Sequence, residues 1–143
     1  MFSKKTIYVH YGNVQFDKNK FEKVENFNDF SKPVNGGLWA SPENAEEGWE
    51  KIKIQGLQYR HIFKFKLADS AKKLILINEE SFEGLPRLTS KSKDGSVALD
   101  FEKLSEQIDV ICNEYNDVTD RLLPNWDCDC ILVMNIDVIE PLE

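Results

Sequence analysis

Residues 32–42 read KPVNGGLWASP and form the segment that most constrains the fold. Two adjacent glycines, Gly36 and Gly37, permit a sharp turn or a close approach of the backbone to another group. The apolar run that follows predicts a short strand entered through this turn. Trp39 and Ser41 come directly after the glycines. They are either a core side chain and a helix cap or part of a ligand site.

Ser41 and Pro42 predict that a helix follows this strand directly. Serine is a favoured N-cap, and proline fits the first helical position because its missing N–H would be unpaired there anyway. Acidic residues come next, and negative charge is favourable near a helix N-terminus. The helix is expected to run to about Lys51 and to place Trp49 at its end.

Other short β-rich runs lie on both sides of this segment. The clearest is residues 59–67 (YRHIFKFKL), where Phe63 and Phe65 alternate with Lys64 and Lys66. Many short strands, few helices and no regular strand–helix alternation predict an α+β domain that spans residues 1–143. Further strands are predicted at residues 6–10, 36–41, 74–77, 109–112, 130–134 and 138–139, a short helix at 100–107 and a long loop at 84–98.

The charge of the chain is unevenly distributed. Residues 1–93 carry 16 basic and 12 acidic side chains, whereas residues 94–143 carry 2 basic and 13 acidic ones. The net charge of −7 argues against a wide basic surface, so extended DNA binding is not expected. One interpretation is that the last third is a solvated acidic surface. The other is that the more basic first two-thirds holds an anion-binding surface.

The composition predicts a cytoplasmic protein without a metal site. No apolar run approaches the roughly 20 residues that a transmembrane helix needs, and the first residues lack the apolar core of a signal peptide. One residue separates Cys128 from Cys130 in a strand-like run. Their side chains are expected to point to opposite faces and to pair poorly as a disulfide. Reduced, buried thiols are therefore expected, and the ligand pairs typical of zinc sites are missing.

Two histidines are present, so any histidine chemistry rests on His10 or His61. His10 ends a predicted strand and is followed by Tyr11 and Gly12, where a side chain and backbone amides can both reach a ligand. His61 lies in the alternating strand on the side of Phe63. A packed or structural role is expected for it.

Two acids stand at the start of a late apolar strand, in the sequence Trp126-Asp127-Cys128-Asp129-Cys130. Because Asp127 and Asp129 are two residues apart, they would share one face at the mouth of the strand. They are either a solubility feature of the sheet edge or functional carboxylates held on a rigid element.

The order of these features resembles the ADP-ribosyltransferase fold. A strand-end histidine, Gly-Leu-Trp-Ala-Ser, a downstream aromatic and an acid before a late strand are similar to the His-Tyr-Glu branch, which includes diphtheria toxin and the poly(ADP-ribose) polymerases. Residues 32–42, Gly48-Trp49 and residues 126–135 also look like a group of small uncharacterised bacterial and phage proteins. The resemblance implies two small, packed, antiparallel-rich sheets with short flanking helices.

The resemblance implies that NAD is a substrate and that no metal is needed. His10 would contact the adenosine-side ribose, and the backbone near Tyr11 or Gly12 would hold the nicotinamide carboxamide. Trp39 and Trp49 would stack on the two sides of the nicotinamide ring. His10, Trp39 and Asp129 are expected to line one cleft between the sheets.

The implied acid is Asp129, which stands where the branch has glutamate. It would stabilise the sugar cation that forms as nicotinamide leaves. Asp127 could instead echo the paired acids of the arginine-modifying branch, and the Ser41 hydroxyl would belong to the NAD site.

The implied function is NAD-dependent transfer of ADP-ribose, a glycosyl transfer, to an unidentified protein or nucleic-acid acceptor. A relative that binds NAD or ADP-ribose is included in this prediction. The alternative is a non-catalytic interaction or inhibitor module on the same fold, which uses the acidic residues 94–143 to bind a basic partner.

Overall fold

The computed structural model describes residues 2–12, 15–26, 32–33, 35–43, 45, 61–88 and 95–142. These residues form one curled sheet of seven strands and a few short helices. The strands are β1 (Tyr8–Gly12), β2 (Leu38–Pro42), β3 (His61–Leu67), β4 (Lys73–Leu76), β5 (Val110–Asn113), β6 (Cys130–Val133) and β7 (Ile139–Pro141). The α-helices are α1 (Phe101–Leu104) and α2 (Asp117–Leu122), and 3₁₀ turns cover Lys18–Lys20, Glu79–Phe82 and Ile136–Val138.

The strand order across the sheet is β4-β5-β6-β2-β1-β3-β7. β4 and β5 run parallel, and the other neighbouring pairs among the described strands are antiparallel. The prediction of a mixed α and β chain, rich in antiparallel strands, is confirmed at this level. The seven strands coincide with the β-rich runs of the sequence, with ends that differ by one or two residues.

Two hydrophobic clusters cover the two faces of the sheet. Alternation along β6 sends Ile131 and Val133 to one cluster, which we call the inner cluster, and Cys130 and Leu132 to the other, the outer cluster. The buried residues of the inner cluster are Tyr8, Leu38, Ala40, Phe65, Leu67, Val110, Cys112, Ile131, Val133 and Val138.

The inner cluster shows how the sheet curls. Tyr8 of β1 and Phe65 of β3 pack in the same cluster as Val110 of β5, although β3 and β5 lie four positions apart in the strand order. One half of the sheet therefore packs over the other half. The prediction of two separate packed sheets is corrected to two halves of one continuous sheet, which the β1–β2 pairing joins.

The outer cluster lies under the helices and the chain segments around them. Its buried residues are Val24, Leu76, Phe82, Val97, Leu99, Phe101, Leu104, Ile111, Leu122, Leu123, Trp126, Cys128, Cys130, Leu132 and Met134. α1 is the predicted helix at residues 100–107, but shorter, and the Asp100 carboxylate caps it by accepting from the backbone N–H of Lys103 at 3.1 Å. α2 was not predicted, although Asn116 and Thr119 form a capping box at its start.

The predicted helix start at Ser41 is wrong. Ser41 and Pro42 belong to β2, where they pair with Val9 and Tyr8 of β1. Pairing with a neighbouring strand overrides the local capping preference, because the strand buries both residues. The rest of the predicted helix, including Trp49, lies outside the described residues.

The prediction that Cys128 and Cys130 point to opposite faces is also wrong. Both side chains lie in the outer cluster, as strand alternation itself requires, because residues two positions apart in an extended segment share one face. A hydrogen bond between the two thiols and burial raise the pKa of Cys130, and burial raises that of Cys112 to about 12. The three cysteines are free and buried, which is typical of structural rather than reactive thiols.

Among the residues described, no helix combines the length and the apolarity that crossing a bilayer requires.

Candidate functional site

A candidate ligand site among the described residues lies where β1 and β2 separate. The ladder between these strands covers Tyr8↔Pro42 and Val9↔Ser41. Beyond it β1 continues to Gly12 and β2 extends back to Leu38. The split leaves an opening between the two strand backbones, and such openings let backbone groups as well as side chains approach a ligand.

His10 lies at the first position after the split and bridges the two strands. Its Nδ1 is 2.6 Å from the carbonyl oxygen of Trp39. A carbonyl can only accept, so Nδ1 carries the proton and Nε2 carries a lone pair. Burial lowers the pKa of this half-buried imidazole, and the hydrogen bond to Trp39 opposes that effect. The ring is therefore neutral near pH 7 and offers Nε2 as a hydrogen-bond acceptor.

A cleft of about 260 Å³ lies beside His10. Gly12 belongs to the same wall, and the glycine turn of residues 36–37 forms the wall opposite. Phe16 and Phe21 supply aromatic surface, and the described lining also includes Gln15, Asp17, Lys20, Glu22 and Leu38. A mainly apolar cleft with a few polar groups is the usual form of a small-molecule site.

The glycine turn is held tightly against residues 22–24. Gly36 and Gly37 have φ angles of 86° and 77°, in the region that favours glycine. The Gly37 N–H donates to the Glu22 carbonyl at 2.9 Å, and a Cβ on Gly36 would lie 2.0 Å from the carbonyl oxygen of Lys23. These contacts fix the wall of the cleft that faces His10.

A second lobe, a pocket of about 330 Å³, shares His10, Gln15 and Phe16 with the first. Its floor is β3, where His61 pairs with Gly12 and Phe63 pairs with His10. The rings of Phe16 and Phe63 stack at 4.2 Å with an interplanar angle of 11°. Both histidines of the chain thus border one groove, and His61 is exposed there rather than packed as the sequence analysis expected.

Trp39 does not place its ring in this cleft. The indole packs against the outer cluster and meets Trp126 edge to face, with ring centroids 4.8 Å apart. Lys32 Nζ lies 5.5 Å from the Trp39 ring. Strand alternation places His10 on the face of Tyr8, which belongs to the inner cluster. Trp39 therefore borders the histidine through its carbonyl, and its ring, which the resemblance assigns to the nicotinamide, packs against the outer cluster.

The two predicted acids lie in different environments. Asp129 is 3% exposed, and its Oδ1 accepts from the backbone N–H of Tyr115 at 2.7 Å. Asp127 is exposed, so the two carboxylates do not share a face. Neither acid is among the described residues that line the His10 cleft. Asp129 instead ties the segment after β5 to the start of β6.

The predicted ligand residues are therefore divided. His10 and Gly12 line the cleft, whereas Tyr11 and Ser41 are buried in β1 and β2. His10, Trp39 and Asp129 do not meet in one cleft within the described residues, and Trp49 lies outside them. Gln15, Phe16 and Glu22 were not predicted as site residues, since they precede the glycine turn and reach the cleft through long-range contacts. Within the described residues no group of three or more His, Cys, Asp or Glu side chains could hold a metal ion.

His10 is expected to make stability fall on acidification. Its pKa in the folded protein lies below the ordinary value of 6.5 because burial disfavours the charged ring. Below pH 6.5 the unfolded chain takes up a proton that the folded protein still excludes, so the free energy of unfolding decreases. Urea denaturation at about pH 7.5 and about pH 5.5 measures this difference. His10→Gln should reduce it, and an unchanged pH dependence in that variant would assign the effect to other groups.

No protein-family model, curated protein or solved structure matches this chain. The geometry of the His10 cleft and the sequence resemblance therefore carry the functional argument.

Proposed function

We propose that the protein binds NAD or a related ADP-ribose compound in the His10 cleft and transfers ADP-ribose to a protein or nucleic-acid acceptor. The observation that supports this proposal most strongly is the cleft itself, which opens where β1 and β2 separate. The sequence resemblance independently assigns His10 and Gly12 to NAD binding, and both line this cleft.

His10 is suited to a sugar hydroxyl. With Nδ1 donating to the Trp39 carbonyl, Nε2 accepts a hydrogen bond from a neutral donor such as a ribose hydroxyl. The carbonyl also fixes the orientation of the ring, so little side-chain entropy is lost when the ligand binds.

The two lobes suit a ligand with two parts. They share His10, Gln15 and Phe16, and Phe21 adds aromatic surface to the first lobe, whereas Phe16 and Phe63 stack on each other in the second. A dinucleotide has a planar ring at each end and a ribose next to each ring. We therefore favour NAD over a mononucleotide as the ligand.

The proposed reaction breaks the bond between nicotinamide and C1′ of the ribose. The electron pair leaves with nicotinamide, and a nucleophile of the acceptor attacks C1′ and loses a proton. The developing positive charge on the ribose needs a nearby carboxylate. Support for Asp129 in this role comes from the resemblance alone, since its carboxylate is buried and bonded to Tyr115.

The hydrogen bond that the Asp129 carboxylate accepts from the Tyr115 N–H also favours a second candidate function, that of a non-catalytic acidic module. Such a module would bind a basic partner through the exposed acids of the last third, and high salt would weaken the complex. The exposed acids there among the described residues are Glu102, Glu106, Asp117, Asp120, Asp127, Asp137 and Glu140.

Calorimetric titration with NAD and with ADP-ribose tests the proposal. Both ligands should bind the wild-type protein, and His10→Ala should weaken binding about tenfold, because it removes an oriented hydrogen-bond acceptor. Asp127→Asn is the matched control on the exposed surface and should leave the affinity unchanged. No heat at millimolar ligand, from protein shown to be folded, would contradict the proposal.

Turnover separates the transferase from the module. Release of nicotinamide, or labelled ADP-ribose transferred to a component of a host extract, supports the transferase. Capture of a partner that survives Asp129→Ala but is lost at high salt supports the module.

A further inference from the structure

Two carboxylates of the His10 cleft, Asp17 and Glu22, have no role in the assignment made from the sequence. Both line the cleft together with His10, Phe16 and Phe21. Asp129, to which the resemblance gives the negative charge of the site, does not line it. The charge that a ligand meets in this cleft therefore comes from residues 17–22.

Asp17 and Glu22 differ in how their carboxylates are used. Asp17 Oδ1 accepts from the backbone N–H of Asn19 at 2.9 Å and caps the 3₁₀ turn Lys18–Lys20. Glu22 is exposed and belongs to the lining of the cleft, and no hydrogen bond or ion pair joins its carboxylate to another described residue. Glu22 is therefore the acid that is available to a ligand.

The backbone of Glu22 is firmly placed. Its carbonyl accepts from the Gly37 N–H at 2.9 Å, and three residues further on the Glu25 N–H donates to the Asn35 carbonyl at 3.0 Å. Val24, between them, is buried in the outer cluster. These contacts fix residues 22–25 along the glycine turn, on the wall of the cleft that faces His10.

The surroundings of Glu22 suit a planar cation. The faces of Phe16 and Phe21 attract positive charge through their π-electrons, and a carboxylate at the edge of the same cleft adds to that attraction. Lys20 is the single basic side chain on the described lining, against Asp17 and Glu22, and His10 is neutral. The described walls of the cleft thus carry a net negative charge.

We propose that Glu22 supplies the negative charge facing the cationic nicotinamide ring, so that the cleft binds oxidised NAD in preference to NADH. The two forms differ in this ring, which is positively charged in NAD and neutral in NADH. The inference rests on the proposed function, since it takes NAD as the ligand. This role differs from the one that the resemblance implies for Asp129, which concerns the sugar cation of the reaction and not the nicotinamide ring of the bound ligand.

Calorimetry of NAD, NADH and ADP-ribose against the wild-type protein and Glu22→Gln tests the inference. The wild-type protein should bind NAD about fivefold more tightly than NADH, the size expected for a solvent-exposed charge pair. Glu22→Gln should remove this preference and leave the affinity for ADP-ribose unchanged, because ADP-ribose has no nicotinamide ring. Glu25→Gln, in the same segment but not on the described lining of the cleft, is the matched control and should keep the preference.

The outcomes separate this inference from the proposal on which it rests. If Glu22→Gln keeps the wild-type preference for NAD over NADH, the role of Glu22 is overturned. Loss of that preference in Asp17→Asn or Asp129→Asn, but not in Glu22→Gln, would overturn it as well. Binding of ADP-ribose without any preference between NAD and NADH in the wild-type protein would also overturn it and leave the proposed ligand class intact. Failure of all three ligands to bind folded protein would overturn the proposed function.

Discussion

Replacing Gly36 by alanine is expected to lower the free energy of unfolding by about 3 kcal/mol or more. Gly36 has a φ angle of 86°, which strains any residue with a Cβ. The new Cβ would also lie 2.0 Å from the carbonyl oxygen of Lys23 and 2.8 Å from the Cα of Val24. These are backbone atoms, so no side-chain rotation can relieve the contact. The turn would have to move away from residues 22–25 and would distort the wall of the cleft.

Gly84→Ala is the matched control for this substitution. Gly84 has a φ angle of 74°, but no atom lies within 4 Å of the position that a Cβ would take. It should therefore cost about 1 kcal/mol, from backbone strain without a clash. Urea denaturation of both variants measures the difference. Equal losses would show that the contact with Lys23 is relieved at little cost and that the glycine turn is not held tightly against residues 22–24.

The strands were predictable because their pattern is local. Residues 130–134 are continuously apolar and form the buried strand β6, and the alternation at residues 61–67 matches β3. The curl of the sheet was not predictable in this way. It depends on Tyr8 and Phe65 packing over Val110, contacts between residues far apart in the sequence.

The candidate site was predictable where it depends on the end of one strand. His10 and Gly12 were identified because the predicted strand ended at His10 with a glycine soon after it. β1 in fact continues to Gly12, and both residues line the cleft. The side-chain orientation of Trp39 could not be obtained from its own segment, since the register of β2 against β1 and β6 decides which face it occupies. Pairing of Trp39 with Leu132 of β6, and not its distance from the glycines along the sequence, places the Trp39 ring against Trp126.

The environments of Asp127 and Asp129 depend on where β6 begins. The prediction extended the alternation of β6 back through residues 127–129, but the strand begins at Cys130. Outside the ladder the backbone turns, which buries Asp129 and exposes Asp127. Glu22 was missed because its position depends on the hydrogen bond between its carbonyl and the Gly37 N–H, a contact that no local pattern indicates.

Trp126→Ala is expected to produce a second large loss, about 4 kcal/mol of the free energy of unfolding. Trp126 is 1% exposed and lies in the outer cluster between two aromatic rings. It meets Trp39 edge to face at 4.8 Å and stacks with Phe101 at 6.4 Å. Truncation would leave a cavity under α1 that the surrounding strands can close only in part. Chemical denaturation measures the loss, and Trp126→Phe, which keeps an aromatic ring, should restore a large part of it.

The contact between Trp39 and Trp126 also offers a test of whether the Trp39 ring belongs to the core or to the ligand site. If its ring belongs to the core, Trp39→Ala should destabilise the protein, and the losses from Trp39→Ala and Trp126→Ala should not add, because the two rings interact directly. The coupling in a double-mutant cycle should be about 0.5–1.5 kcal/mol, the usual value for an aromatic pair. Calorimetry with NAD on the folded Trp39→Ala variant should then give wild-type affinity, since the ring faces away from His10. Additive losses combined with a large loss of NAD affinity would instead place the indole in the ligand site, as the resemblance implies.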